Sequence, residues 1–261
     1  MSLRANEYYK PKTLQDAYSK LKEDPKNTIL AGGLWMKKTG LQYDCLIDLC
    51  DLELNYIKEE KDVIHIGAMT SLRDFENSPI INKLNGGVTA FGVREVMGPA
   101  FRNSATIGGS IYGRYPFSDV ITSLLTLDVT LYFYPEKTIS LEEYLNYKGK
   151  VDGILKEIVI KKEDGKAFFK KVKTTALDFP LINFSIVKRN DKHYIAVGSR
   201  PMVAALAHKA MEAVDSGASC EEAANIAVEE LQYMDSFNIS KEYRMDLAKI
   251  YIRRGLEEVN K

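Results

Sequence analysis

Two glycine pairs are the residues of this chain whose type and spacing point to chemistry. The first lies in Leu30-Ala31-Gly32-Gly33-Leu34-Trp35-Met36, the second in Thr106-Ile107-Gly108-Gly109-Ser110. Glycine turns at positive φ and lets a ligand approach the backbone, because no Cβ stands in the way. Successive N–H groups in such turns form a concavity that binds anions, phosphates above all. Taken singly, each pair also reads as a plain turn between strands. Two in one domain predict one long ligand held at two places, such as a dinucleotide with its pyrophosphate. Neither pair matches the Gly-x-Gly-x-x-Gly fingerprint, and the absence of Gly-Lys-Ser or Gly-Lys-Thr gives no support to a P-loop nucleotidase.

The remaining reactive residues exclude more than they offer. Three cysteines, Cys45, Cys50 and Cys220, make no disulfide framework and fall short of a four-cysteine iron–sulfur site. They read as free thiols. His65, His193 and His208 are scattered away from the glycine pairs, so no metal site is expected. The 36 basic residues balance 36 acidic ones, which gives no support for a nucleic-acid or anionic-membrane binder. No apolar run approaches the about 18 residues of a membrane span. The N-terminal residues lack the apolar core of a secretion signal. The expectation is a cytoplasmic protein.

The elements that must position the glycine pairs can be read from periodicity and caps. Residues 13–23 form an amphipathic helix capped by Thr13, with Leu14, Ala17, Tyr18 and Leu21 on one face. Residues 28–31 form a short strand running into the first pair, and 45–49 and 63–68 form two more. Ser71 caps a helix to Phe75, and 79–84 and 88–97 read as helical. After the second pair come an apolar helix over 119–127, a strand over 129–134, a short helix opened by Ser140 and a strand over 154–160. Lys161-Lys162-Glu163-Asp164-Gly165 is the best domain boundary. Beyond it, strands over 168–173, 182–188 and 193–197 precede helices over 203–216, 220–234 and 241–260, with a hairpin turn at Asn190-Asp191-Lys192. Three strands then three helices predict an α+β domain.

The chain resembles the FAD-binding subunit of molybdenum hydroxylases, the xanthine, carbon monoxide and nicotinate dehydrogenase group. The match runs through Tyr8-Tyr9-Lys10-Pro11, Ala31-Gly32-Gly33, Ile66-Gly67-Ala68-Met69-Thr70, and above all Arg102-Asn103-Ser104-Ala105-Thr106-Ile107-Gly108-Gly109. It continues through Pro116, Asp119, Leu124 to Asp128, Phe169-Lys170-Lys171, Asp178, Tyr243-Arg244 and Arg253-Arg254. The resemblance implies an α+β fold. An FAD-binding domain of the vanillyl-alcohol oxidase and p-cresol methylhydroxylase type, with two α/β subdomains, would occupy residues 1–165. A C-terminal α+β domain with a three-stranded antiparallel sheet and helices would occupy 166–261.

It also implies a role. Non-covalent FAD would be cradled by the backbone of Leu30 to Met36, with Gly32, Gly33, Leu34 and Trp35 at the pyrophosphate. Thr106 and Ser110 would donate hydroxyl hydrogen bonds, and Ile107, Gly108 and Gly109 would allow close approach. Asp119 would accept from a ribose or ribityl hydroxyl, cap its helix, or do both. Leu155 would pack near the adenine or fill strand core. Lys171 would stabilise the reduced, negatively charged flavin, or stand solvated in the basic run Lys170-Lys171-Lys173. No side chain would act as a catalytic acid, base or nucleophile. Molybdopterin and 2Fe–2S clusters would sit on partner subunits, with NAD or another acceptor downstream and a purine or other N-heterocycle upstream. Two alternatives stay open: a stand-alone flavin oxidoreductase drawing on Arg94, Arg102, Tyr112 or Arg114, and a flavin-free scaffold on the same fold. Leu34-Trp35 replaces a polar pair usual in the family, Gly113 and Tyr115 replace Asn and Ser, and Thr175 replaces Arg. Trp35 would stack on a ring or fill core, and core is the expectation.

Overall fold

The computed structural model describes residues 3–261. It divides into two compact units, each assembled from separated stretches of chain. Unit 1 comprises Met1–Phe75, Pro99–Gly113 and Thr130–Ile160; unit 2 comprises Glu76–Gly98, Arg114–Val129 and Lys161–Lys261.

Unit 1 holds two sheets. In the first, strands β1 (Arg4–Tyr9) and β2 (Thr28–Leu30) flank β3 (Gln42–Asp48), all parallel. Strands β1 and β2 run parallel on either side of β3, a connection that needs a crossover, and helix Leu14–Glu23 supplies it. Thr13 caps that helix, its hydroxyl accepting from the Asp16 N–H at 3.1 Å. Ala17 packs into a cluster with Cys45, Ile47 and Leu49. The second sheet contains β4 (Ile57–Glu60), β5 (Val63–Gly67), β6 (Val129–Tyr134), β7 (Lys137–Ser140) and β8 (Ile154–Lys161), in the order β4-β5-β8-β6-β7. Strand β6 alternates buried and half-buried residues, the period-2 signature of a sheet with one face in the core. Ser140 and Glu143 form a reciprocal capping box on helix Leu141–Asn146.

Unit 2 is built on an antiparallel sheet of β9 (Gly165–Val172), β10 (Ile182–Arg189), β11 (Lys192–Gly198) and β12 (Ala205–Leu206), in the order β12-β11-β10-β9. Arg189 pairs with Lys192, leaving Asn190 and Asp191 as a two-residue loop at φ 49° and 58°. Two left-handed residues are what a tight hairpin of this twist requires, and Asn and Asp tolerate them. Helices His208–Asp215, Cys220–Glu230 and Lys241–Val259 bury Ala210, Ala227, Leu247, Ile252 and Leu256 against Ile182, Phe184 and Ile186 of β10. The three expected strands are present, and β12 adds a fourth. Two residues carry too little periodicity to be read from sequence. For the same reason the helix expected from 203 begins only at His208: the residues before it pair with β11. All six residues of helix Asp119–Leu124 are buried. Among the described residues, no helix is long and apolar enough to cross a membrane.

Candidate functional site

The first glycine pair forms a turn that leaves its backbone N–H groups unused. Strand β2 ends at Leu30, and the chain bends through Ala31 to Trp35 into a short helix, Met36–Thr39. Gly33 adopts φ 65°, the left-handed region where a side chain is strained. Gly32 is needed for another reason. A Cβ there would lie 2.0 Å from the carbonyl oxygen of Ser104, so the turn is pressed onto the segment leading to the second pair. Among the described residues, the N–H groups of Gly32, Gly33 and Leu34 meet no acceptor of the chain. Three consecutive free amides are the makings of an anion cradle.

The second pair is different, and the expected positive-φ loop is corrected. Gly108 and Gly109 lie in the first turn of helix Ile107–Tyr112. Thr106 caps it, accepting from the Gly109 N–H at 3.1 Å. The Ile107 N–H donates to the Thr70 carbonyl at 2.9 Å, Gly108 to Ala68 at 3.0 Å, and Ser110 to Thr106 at 3.0 Å. Ser110 also sends its hydroxyl hydrogen to the Thr106 carbonyl at 2.9 Å. These amides and the Ser110 proton are spent inside the protein. A Cβ on Gly108 would sit 2.5 Å from the Ala68 carbonyl oxygen, so its glycine closes the helix onto the end of β5. Gly109 is less confined: an added Cβ would meet Thr106 Oγ1 at 3.0 Å and face the Ala31 methyl at 4.0 Å.

Between the two segments lies a cleft of about 410 Å³, within the range of small-molecule sites. Its walls are Ala31, Gly32, Asn55, Met69, Ser71, Asp74, Asn103, Ser104 and Thr106. Both glycine segments therefore contribute to one cavity, all of it in unit 1. Asn55, Ser71 and Asp74 were not expected there. Ser71 reads as a helix cap, and it is one: its oxygen accepts from the Asp74 N–H at 2.9 Å and its hydrogen goes to the Asp74 carboxylate at 2.7 Å. Asn55 lies in a loop between Asp51 and Tyr56 and has no pattern to betray it. Leu30, Gly33, Leu34, Trp35 and Met36 are half-buried around the turn. Trp35 is not core, contrary to expectation. Its ring is part-exposed, with the Lys38 ammonium 5.3 Å from its centroid, because the helix it opens lies on the surface. Ile107 is fully buried and Leu155 is buried within β8.

Asp119 and Lys171 belong to unit 2 and are bonded to each other. Lys171 Nζ lies 2.7 Å from Asp119 Oδ2, with the two side chains 4% and 3% exposed. The ammonium also donates to the Glu95 carbonyl at 3.0 Å. Asn183 Nδ2 donates to the other carboxylate oxygen at 2.6 Å. Asp119 does not cap its helix: Ser118 does, accepting from the Ile121 N–H at 3.1 Å. Lys171 is not a solvated member of the basic run, because β9 turns it inward; Lys173 reaches Glu95 instead. Burial pushes the Asp119 carboxyl up, against the opposing pull of Lys171 and the Asn183 amide. Sequence reading missed Asn183, which looks like one polar residue in an apolar strand.

A turn with free amides at the edge of a Gly-Ser-Asn-Thr cleft on an α+β scaffold has the chemistry of an anion site. The family model for the FAD binding domain in molybdopterin dehydrogenase matches residues 3–161, and the chain belongs to this family. FAD is its cofactor, and it ranks among FAD-dependent oxidoreductase subunits. It is 28% identical over 210 residues to the nicotinate dehydrogenase FAD-subunit of Eubacterium barkeri, covering 71% of this chain and 69% of that one. It is 24% identical over 277 residues to a putative xanthine dehydrogenase FAD-binding subunit of Escherichia coli, covering 96% and 94%. A solved chain of the Hydrogenophaga pseudoflava carbon monoxide dehydrogenase superposes with a TM-score of 0.90 at 24% identity, covering 99% of this chain and 98% of that one, which shows the shared fold. The residues present fit a pyrophosphate in kind: the free amides of Gly32 to Leu34 are hydrogen-bond donors of the type that binds phosphate.

Proposed function

We propose that this chain is the electron-transferring flavoprotein subunit of a cytoplasmic molybdenum hydroxylase. In this reading residues 1–165 form the FAD-binding domain and 166–261 the C-terminal domain. The carrying observation is the row of amides at Gly32, Gly33 and Leu34 that meet no acceptor among the described residues, beginning at Gly32, which packs against Ser104 and lines the cleft. These amides hold the pyrophosphate, and Thr106 and Gly109 border its path. Asp119 and Lys171 form a buried ion pair within unit 2. Bound FAD supplies the electron relay. The chain's own part is to bind it, orient it and set the local charge. Leu34 offers no nucleophile, so the cofactor is held non-covalently.

Partners follow from the likeness to FAD subunits of multi-subunit dehydrogenases. The chain's three cysteines are free, one of them buried, and cannot hold a cluster. The 2Fe–2S clusters and molybdopterin belong to separate subunits, and NAD or another acceptor takes the electrons onward. A purine or other N-heterocycle is the proposed substrate of the complex. The test is purification of the native chain with its partners. A yellow complex carrying FAD, molybdenum and iron supports the reading. A colourless protein whose melting temperature ignores added FAD sinks it, since a ligand bound to the native state must stabilise it.

A further inference from the structure

The cleft beside the first glycine turn carries one charged side chain, Asp74; among the described residues no lysine or arginine lines it. Asp74 sits in the first turn of helix Leu72–Asn77. That helix is tied to the segment of the second glycine pair. The Leu72 N–H donates to the Ala105 carbonyl at 2.8 Å, the Ile107 N–H to the Thr70 carbonyl at 2.9 Å, and Ser71 bridges to Thr106. Gly32 is pressed onto Ser104 at the start of the same segment. The turn with free amides and the carboxylate are therefore both mounted on residues 104–107, which fixes the one relative to the other. Ser71 aims the carboxylate, donating its hydroxyl to Asp74 Oδ2 at 2.7 Å. Asp74 Oδ1 meets no donor among the described residues. An ionised carboxylate can only accept, so the cap role leaves one acceptor of the cleft unused.

We propose that Asp74 is a specificity-determining residue, by which the cleft takes a flavin dinucleotide and rejects a flavin mononucleotide. This rests on the functional reading above. The argument is one of charge and hydrogen bonding. Neutral amides suit the pyrophosphate of FAD, in which each phosphate carries a single negative charge. The phosphate of FMN is a terminal monoester, and such a group carries about −1.5 to −2 at neutral pH. Seated at the turn, it would bring the extra charge into a cleft that offers a carboxylate and no cation, and like charges at close range repel. FAD continues past its phosphates into adenosine, whose ribose hydroxyls and amino group are donors that Asp74 Oδ1 can accept. One side chain thus favours the longer cofactor and opposes the shorter, which is specificity built partly from repulsion.

The experiment is fluorescence titration of the flavin-free full chain with FAD and with FMN at one fixed ionic strength. The unaltered chain should prefer FAD by about a hundredfold in dissociation constant. Asp74→Asn, neutral and close in shape, should narrow that preference by about tenfold, through weaker FAD and tighter FMN binding. Asp74→Glu, which restores the charge, should restore most of the preference. Asp74→Ser is read like Asp74→Asn should the latter fail to fold. An unchanged preference in the neutral variant, or a loss equal for both flavins, shows that the carboxylate serves its helix cap alone and overturns the inference. An Asp74→Glu variant that behaves as Asp74→Asn does overturns it as well. An unaltered chain that binds the two flavins equally overturns it without any variant and leaves the functional reading standing. A chain that binds neither sinks that reading, and the inference with it.

Discussion

At the level of single residues, the glycines of the two pairs separate into packing and binding roles. Gly32 and Gly108 are fixed by backbone carbonyls 2.0 and 2.5 Å from where a Cβ would stand. Gly32→Ala should lower stability by about 1–3 kcal/mol, as overpacking does, measured by urea denaturation. Gly109 is less confined than Gly108, its added methyl meeting the Thr106 hydroxyl at 3.0 Å and nothing else closer than 4.0 Å, so Gly109→Ala should fold with a smaller loss of melting temperature than Gly108→Ala yet bind FAD at least tenfold more weakly in fluorescence titration; unchanged affinity would assign the residue to packing alone. Lys171→Met strands a buried carboxylate and should cost about 3–5 kcal/mol. The double variant Lys171→Met with Asp119→Leu should recover most of that, because it removes the charge as well as its partner. The glycine pairs were legible in the sequence because turns and close approaches admit few other residues. Asn183 was not, because the donor it provides matters only once β10 lies beside the helix of Asp119.

At the level of elements, local rules carried most of the information. Thr13, Ser71, Ser140 and the Asn190-Asp191 turn each do in the structure what their sequence context announces. The failures are of two kinds. Short elements such as β12 and helix Met36–Thr39 hold too few residues to show a period. The second glycine pair was taken for a loop because glycine disfavours helices, but tertiary contact with Ala68 outweighs that preference. The capping box of Ser140 and Glu143, and a second one that Ser219 and Glu222 form on helix Cys220–Glu230, make a pH prediction. Hydrogen bonds from Ser140 and Ser219 hold the Glu143 and Glu222 carboxyls below the usual glutamate range. A depressed native pKa adds stability that is fully present above the unfolded pKa and is lost as pH falls through the native one. Melting temperature should therefore decline on acidification below the ordinary glutamate range. Ser219→Ala, which costs about 1 kcal/mol at neutral pH, should flatten that decline; an equally steep acid profile in the variant would put the pH sensitivity elsewhere.

At the level of the whole molecule, the family is set by the match over residues 3–161 and the fold by a superposition along nearly the entire chain. With free FAD at about 100 times its dissociation constant, the native state should gain about 2.7 kcal/mol, visible as a rise of several degrees in melting temperature. No sequence pattern announced that each unit would be discontinuous, since periodicity reports on neighbours along the chain and not on which stretches return to one another. That discontinuity has a consequence for biosynthesis. Strand β5, whose end abuts the helix of the second glycine pair, has β8 as its neighbour in the sheet, and β8 is about ninety residues further on. A ribosome that has made both glycine pairs has not yet made the strand that completes their support. Coenzyme loading is thus a late event, open to the nascent polypeptide only after residue 161 has cleared the exit tunnel, and stalled or truncated products shorter than that should emerge without it.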